Sequence, residues 1–440
     1  MSAETVITVN VRNIAFGGAG VGEVTSQSDG RTDLLGITAF VPFTTAGEQV
    51  TARVVERKDR HLQAELLNVE TPSLGRTTPR CELYTQCGGC EFQHIEYHEQ
   101  LSLKFEMIRG SLRAAKLPTV VIDTLAPIVP SVEYGYRRRI TLHVDVSGKV
   151  GFYRSGSRAV VPVAACPIAV PEINELLPGL AEFGRAVQGK ISSILLEADE
   201  AGVVAVLKSP YDISAQAART IMTAARAALP NAILFAGGKE IEGYGRQILE
   251  LPLNDQQTLK LRVPAGFFSQ VNSKINARLV TRALELAGTL HQRVVMDLYA
   301  GAGNFALPFA SAGARVTAVE CDKRLVGFGR ENASRYGLQK SLEFCELSVE
   351  KFLALPGMRD QRADVLIADP PRSGLGKVAH DLPRAPRLLL ISCHLPSFVR
   401  DLKLLSELGW KVEKIVPFDM FAQTSYVEIL ALFTKEDSKH

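Results

Sequence analysis

The sequence predicts a multidomain α/β protein: an N-terminal OB-like β-barrel, an α+β central part and a C-terminal doubly wound, Rossmann-like domain. Three observations predict it. Short alternating segments crowd the first 70 residues, a cysteine-rich knot with further strand patterns follows, and beyond about residue 255 strands and helices alternate. Hydrophobic residues make up 46% and charged residues 22%, enough apolar surface to exclude a wholly disordered chain. No run of about 18 apolar residues exists, so no helical membrane span is expected. The start, MSAETVITVN, lacks a basic stretch followed by an apolar one, which points to the cytoplasm. A net charge of +3 is too small to mark a nucleic-acid binder, so any basic surface must be local.

Taken in order, VITVNVRNIA alternates, GGAGVGEV reads as a Gly-rich hairpin, and ITAFVPF, EQVTARVVER and HLQAELLNVE complete five or so strands. The polar segment TPSLGRTTPR, 71–80, is a linker, and CELYTQCGGC follows it. Glu96 to Lys116 suits a helix that ends before Pro118. Strands return at RRRITLHVDVSGKVGFYR, and ISSILLEADEAGVVAVLK reads as a hairpin. In the last part VVMDLYA, ARVTAVE, ADVLIADP, RLLLISC, KVEKIVPFD and VEILALFT are candidate strands.

VVMDLYAGAGNF is a buried strand running into a Gly-x-Gly turn, where Gly301 and Gly303 let the backbone approach a ligand closely. Glu320 ends the next strand, nineteen residues beyond Gly301, the spacing of a ribose-binding carboxylate. That much suits a dinucleotide or S-adenosylmethionine. Asp297 favours the latter, whose sulfonium and ammonium are cationic, whereas a pyrophosphate gains nothing from a carboxylate. Asp369-Pro370-Pro371-Arg372 ends another strand with a rigid turn, and Arg372, where amino-methylating enzymes place an aromatic ring, argues against amino-group chemistry.

Two residues read as chemistry. Cys393 closes a strand at the expected active edge, just before a helix whose N-terminal dipole would depress a thiol pKa. Glu428 sits in an otherwise apolar strand, where an unpaired carboxylate is costly. Cys81, Cys87 and Cys90, joined by the distant Cys166-Pro167, suit zinc or an iron–sulfur cluster, while Cys321 and Cys345 read as core residues. Arg137, Arg138, Arg139, Arg154 and Arg158, interleaved with Tyr134, Tyr136, Phe152 and Tyr153, suit phosphate contacts and base stacking.

Together these motifs resemble the RNA (uracil-5-)-methyltransferase family, in its iron–sulfur-containing bacterial 23S ribosomal RNA branch. The resemblance covers most of the chain and rests on the barrel, CELYTQCGGCEFQH with CPI, GFFSQVN, DLYAGAGNF, DPPRSGLG, ISCHLPSFVRDL and DMFAQTSYVE. It implies a TRAM barrel over 1–72, a cluster-bearing central domain over 73–92 and 126–258, and a methyltransferase domain over 93–125 and 259–440. It also implies Cys393 as nucleophile toward uracil C6 and Glu428 as base at C5. Gln270, Tyr299, Asn304, Glu320 and Asp369 are implied to line the S-adenosylmethionine site, and Cys81, Cys87, Cys90 and Cys166 to hold a [4Fe-4S] cluster of structural or RNA-contacting role. The expected partner is a flipped, single-stranded or loop uridine of ribosomal RNA, bound by a monomer with no membrane association. The same reaction on a transfer RNA T-loop, or an inactive cluster-bearing RNA-binding or assembly factor, are the rival readings. The family's usual Asn-Pro after the nucleophile is His394-Leu395 here, its Pro and His before the base are Ala422 and Tyr426, and its third cofactor loop carries Ser348.

Overall fold

The structure, a computed structural model, describes residues 5–435 apart from 29, 31, 255 and 257. Strands Val6–Ile14, Gly20–Gln27, Thr38–Val41, Gln49–Arg57 and His61–Thr71 close into a barrel. The alternation explains it: Ile7, Val9 and Val11 point inward with Val24, Val41, Val50 and Leu62, all buried, while the residues between them face out.

A seven-stranded sheet follows, in the spatial order Lys239–Tyr244, Ala232–Ala236, Gly202–Ser209, Ser193–Asp199, Arg139–Val144, Val150–Tyr153 and Val160–Pro162. A second seven-stranded sheet runs Leu342–Glu346, Arg315–Glu320, Val294–Leu298, Val365–Ala368, Arg387–Ser392, Glu428–Thr434 and Lys411–Phe418. Its first five strands are parallel, and Glu428–Thr434 is inserted antiparallel to both its neighbours. The chain winds outward from Val294–Leu298 in one direction, then starts again at Val365–Ala368 in the other. The crevice at the carboxyl ends of those two strands is therefore the switch point where such sheets bind ligands.

Several elements escape the sequence pattern. Leu342–Glu346 is a strand of only five residues, two of them glutamates. Ile248–Pro252 and Lys260–Pro264 pair as a separate hairpin, whose Leu249, Leu261 and Val263 share one apolar cluster with Leu195 and Val206 of the central sheet, Val295 of the last and Phe309 of helix Ala306–Ser311. Helix Tyr97–Ala114 buries Ile108 and Leu112 in a second cluster with Leu366, Leu390, Phe398 and Leu402, so it packs on the C-terminal sheet and its helix Leu395–Glu407. Among the described residues no helix is long and apolar enough to cross a membrane.

Candidate active site

Beyond strand Val294–Leu298 the chain turns through Tyr299, Gly301 and Gly303, all at positive φ, into helix Ala306–Ser311. Glycine is required at 303, where φ is +105° and a Cβ would also press to 3.3 Å from the Phe344 ring. Tyr299 holds φ +66° without that freedom, a strained residue at a binding turn. Gln270, Tyr299, Asn304 and Asp369 line one pocket there, together with Ser269 and Asn276. Asn276 and Asn304 exchange amide hydrogen bonds at 2.8 and 3.1 Å, which fixes both heads. Glu320 stands beside this pocket, its carboxylate accepting from Gly301 N at 3.0 Å and from Asp322 N at 2.8 Å. Ser348 caps helix Val349–Leu353 by accepting from Lys351 N. The pocket holds about 60 Å³, and Phe268 on its lining is largely exposed.

The electrostatics favour a cation. Asp297 is fully buried and neither of its oxygens has a hydrogen-bond partner among the described residues. Burial, then the nearby Asp369 and Glu320 carboxylates, push its pKa well above the usual range. Asp369 is itself raised to about 7 by burial. Three converging carboxylates without a paired cation are stabilised by a positively charged ligand.

The nucleophile and base candidates meet at the same edge. Strand Arg387–Ser392 pairs antiparallel with Glu428–Thr434 as far as Ser392 opposite Ile429; Cys393 follows that pair on one strand and Glu428 precedes it on the other, close enough for the Glu428 carboxylate to act on the Cys393 thiol. Glu428 is buried, its Oε1 unpartnered, and burial followed by Asp369 raises its pKa well above normal. The Cys393 thiol is pushed up to about 11 by burial, then by Glu428 and Asp369, with Arg372 opposing. This corrects the expectation of a depressed thiol: helix Leu395–Glu407 does begin next to Cys393, but desolvation and two carboxylates outweigh its dipole. His394 Nδ1 lies 2.5 Å from Ser397 Oγ, which is also within 2.6 Å of Arg372 O, so the imidazole is held in place beside Cys393.

The loop 419–427 that delivers Glu428 is braced from outside the C-terminal sheet. Gln423 sits at φ +68°. Its N–H donates to Gln100 Oε1 at 3.1 Å, its Oε1 accepts from Gln100 Nε2 at 2.9 Å, and its carbonyl accepts from Glu91 N and Phe92 N. Ser425 N donates to Glu91 Oε2, Tyr136 OH donates to Ala422 O, and the buried Lys104 donates to Asp419 at 2.5 Å and to Phe421 O. Gln100 and Lys104 went unnoticed in the sequence. Their signal was there: with Ile108 and Leu112 they form an i, i+4 row of buried positions in which two members are polar.

Comparison with known proteins now bears on this geometry. The profile of the tRNA (Uracil-5-)-methyltransferase family matches residues 241–436. A 23S rRNA (uracil(1939)-C(5))-methyltransferase RlmD of Shewanella sediminis is 32% identical, over 97% of this chain and 95% of its own. Its counterpart in Shewanella amazonensis is 30% identical with the same coverage. The chain belongs to the RNA (uracil-5-)-methyltransferase family. Its fold is also that of the solved Pyrococcus abyssi tRNA (uracil-54, C5)-methyltransferase, in complex with S-adenosyl-L-homocysteine: TM-score 0.74 over 97% of this chain and 100% of that one, at 20% identity.

In this family member the cysteine knot adjoins Cys393. Cys81, Cys87, Cys90 and Cys166 line one cavity of about 390 Å³, and its wall continues to Arg372, Cys393 and Tyr426. Burial pushes the Cys87 thiol up to about 11, with Cys166 and Cys81 adding, and Cys90 up to about 12, with Cys166 and Cys87 adding. Among the described residues no group of three or more His, Cys, Asp or Glu is arranged to hold a metal ion. Cys345 is half-buried against the core, but Cys321 is exposed, which corrects its reading as a core residue. The arginine run is corrected as well. Arg138 is buried, bonded to Ser269 and to the carbonyls of Gln270 and Ala198, and so braces the cofactor-side loop. Arg139 bonds Phe267 O and pairs with Glu197, and Tyr136 is buried, whereas Arg154 and Arg158 are exposed.

Proposed function

We propose that the protein methylates C5 of a uridine in 23S ribosomal RNA, using S-adenosylmethionine, through a covalent bond from Cys393 to uracil C6. The meeting of Cys393 and Glu428 at the end of one antiparallel ladder, with Asp369 near both, carries this reading. S-adenosylmethionine supplies the methyl group on a sulfonium, and Gln270, Tyr299, Asn304, Glu320 and Asp369 would hold it; the unpartnered buried Asp297 fits a cationic ligand nearby. Uracil C5 is a weak nucleophile. Addition of the Cys393 thiolate to C6 forms an S–C bond and moves the C5=C6 electrons toward an enolate, which makes C5 nucleophilic. Arg372 favours the thiolate. After methylation Glu428 takes the C5 proton, and the electrons of that C–H bond restore C5=C6 as the S–C6 bond breaks.

The barrel is read as a TRAM-type RNA-binding domain, with Arg154 and Arg158 at phosphates. Cys81, Cys87, Cys90 and Cys166 would hold a [4Fe-4S] cluster. Four thiols lining one roomy cavity support this reading. The cluster then shapes the wall of the reaction cavity and needs no chemical step of its own. An rRNA substrate fits a cytoplasmic protein, and a site built from residues of one chain is compatible with a monomer.

Labelled methyl donor with unmethylated 23S and transfer RNA transcripts tests the assignment. Label as 5-methyluridine in the 23S transcript alone is expected. Label confined to transfer RNA would move the substrate, and RNA binding without label in either would support a factor that has lost catalysis.

A further inference from the structure

The first turn of the barrel, residues 15–19, does not end in solvent. Ile14, just before it, packs with Phe92 and Ile95. Gly18, at φ +86°, lies so close to the cysteine-knot segment that a Cβ there would come within 2.7 Å of Glu91 Cβ. Only glycine seats the turn this tightly. So placed, the turn carries Phe16 to the reaction centre. Its ring meets His394 edge-on at 5.4 Å and 82°, and Tyr426 edge-on at 6.0 Å and 86°. His394 follows Cys393 and Tyr426 shortly precedes Glu428, so the ring touches both flanks of the catalytic pair. Tyr426 also receives the Arg372 guanidinium at 5.5 Å from its ring centroid. Yet Phe16 remains 37% exposed. A large apolar ring left partly in water beside Tyr426, which lines the cavity containing Cys393, offers a face to a flat partner.

We propose that Phe16, with His394 and Tyr426, forms a stacking subsite for an unpaired nucleobase adjacent to the target uridine. This rests on the RNA methylation proposed above. Reaching C6 requires the target base to leave its stack, which strips a neighbour of its own stacking partner. An aromatic platform at the cavity mouth replaces that partner, and Arg372 supplies the positive charge that the RNA backbone favours there. The barrel thereby contributes a specificity-determining side chain at the reaction centre. The two family departures, His394 and Tyr426, are two walls of this same subsite.

The test pairs Phe16→Ala and Phe16→Trp with RNA carrying an abasic nucleotide on either side of the target uridine. Phe16→Ala should weaken RNA binding about 5- to 150-fold, raise KM for RNA by a similar factor, and leave S-adenosylmethionine affinity and the melting temperature near those of the parent. Phe16→Trp should restore binding. On RNA that lacks the stacked base the penalty of Phe16→Ala should vanish, which a merely structural role would not produce. An equal penalty on intact and both abasic RNAs, or none on intact RNA, overturns the subsite. Binding needs no turnover, so failure of the parent to methylate would count against the proposed function while the affinities still decide the subsite.

Discussion

Replacing Gln100 by alanine should disable Glu428 from a distance. Gln100 is fully buried; its Nε2 donates to Phe92 O, Ile95 O and Gln423 Oε1, and its Oε1 accepts from Gln423 N. Truncation leaves the Gln423 N–H buried without an acceptor, at about 1–3 kcal/mol, and forfeits further bonds of roughly 0.5–1.5 kcal/mol each. With two Nε2 hydrogens shared among those acceptors, the total is about 2–6 kcal/mol. Gln423 is meanwhile held at φ +68°, a conformation costing a non-glycine residue about 1–2 kcal/mol, so the loop gains by relaxing once the bond is gone. If only about 2 kcal/mol of this appears as displacement of Glu428, resolution of the covalent intermediate slows about 30-fold. Single-turnover methyl transfer, quantified protein–RNA adduct and calorimetric S-adenosylmethionine binding read the effect. Slow resolution, accumulated adduct and unchanged cofactor affinity are expected. Gln423→Gly, which keeps the backbone bonds and accepts the positive φ, should stay near the parent. A folded Gln100→Ala protein that turns over at the parent rate would refute the reasoning.

Two further outcomes follow from the same coordinates. Glu320→Ala removes a carboxylate whose charge-assisted bonds to ribose are worth about 1.5–3 kcal/mol each, so S-adenosylmethionine affinity should fall roughly 10- to 150-fold; unchanged affinity by calorimetry removes Glu320 from the site. His94 is held neutral, its pKa lowered from 6.5 to about 4 by burial and by Arg76. The unfolded chain takes up that proton first, so the stability present above pH 6.5 is lost as pH falls toward 4, by about 2 kcal/mol at pH 5. Urea midpoints at pH 7.5 and pH 5 should differ accordingly, and His94→Gln should flatten that part of the slope.

Local patterning made much of the fold legible. Alternation marked the barrel strands, and the Gly301-x-Gly303 turn and the apolar runs through Val295, Ile367 and Leu389 marked the parallel sheet. Leu342–Glu346 stayed hidden because five residues, two of them glutamates, carry too little periodicity. Cys393 and Glu428 stood out as misplaced polar residues at strand ends, but their meeting depends on inserting the last strand of the chain between two earlier ones, and no local signal encodes that. The arginine run misled because a guanidinium suits an exposed phosphate contact and a buried ring of carbonyls equally well, as Arg138 illustrates. Distance along the chain hides another neighbourhood: the cysteine knot shares a cavity with Cys393, and Glu91 binds the loop that carries Glu428, so Cys87→Ser should disturb the active site as well as the central part. Phe16 could not be read at all, since its neighbours lie at the other end of the chain.

The central claim is the division of labour between Cys393 and Glu428. The most direct measurement is a denaturing gel that resolves protein–RNA adducts formed with labelled methyl donor by the parent, Cys393→Ala and Glu428→Gln. Cys393→Ala should form no adduct and no product. Glu428→Gln should still add and methylate but not eliminate, so a labelled adduct should accumulate while free 5-methyluridine falls. An adduct with Cys393→Ala would mean that another residue attacks. Normal turnover by Glu428→Gln would contradict the assigned base and turn attention to His394, next to Cys393.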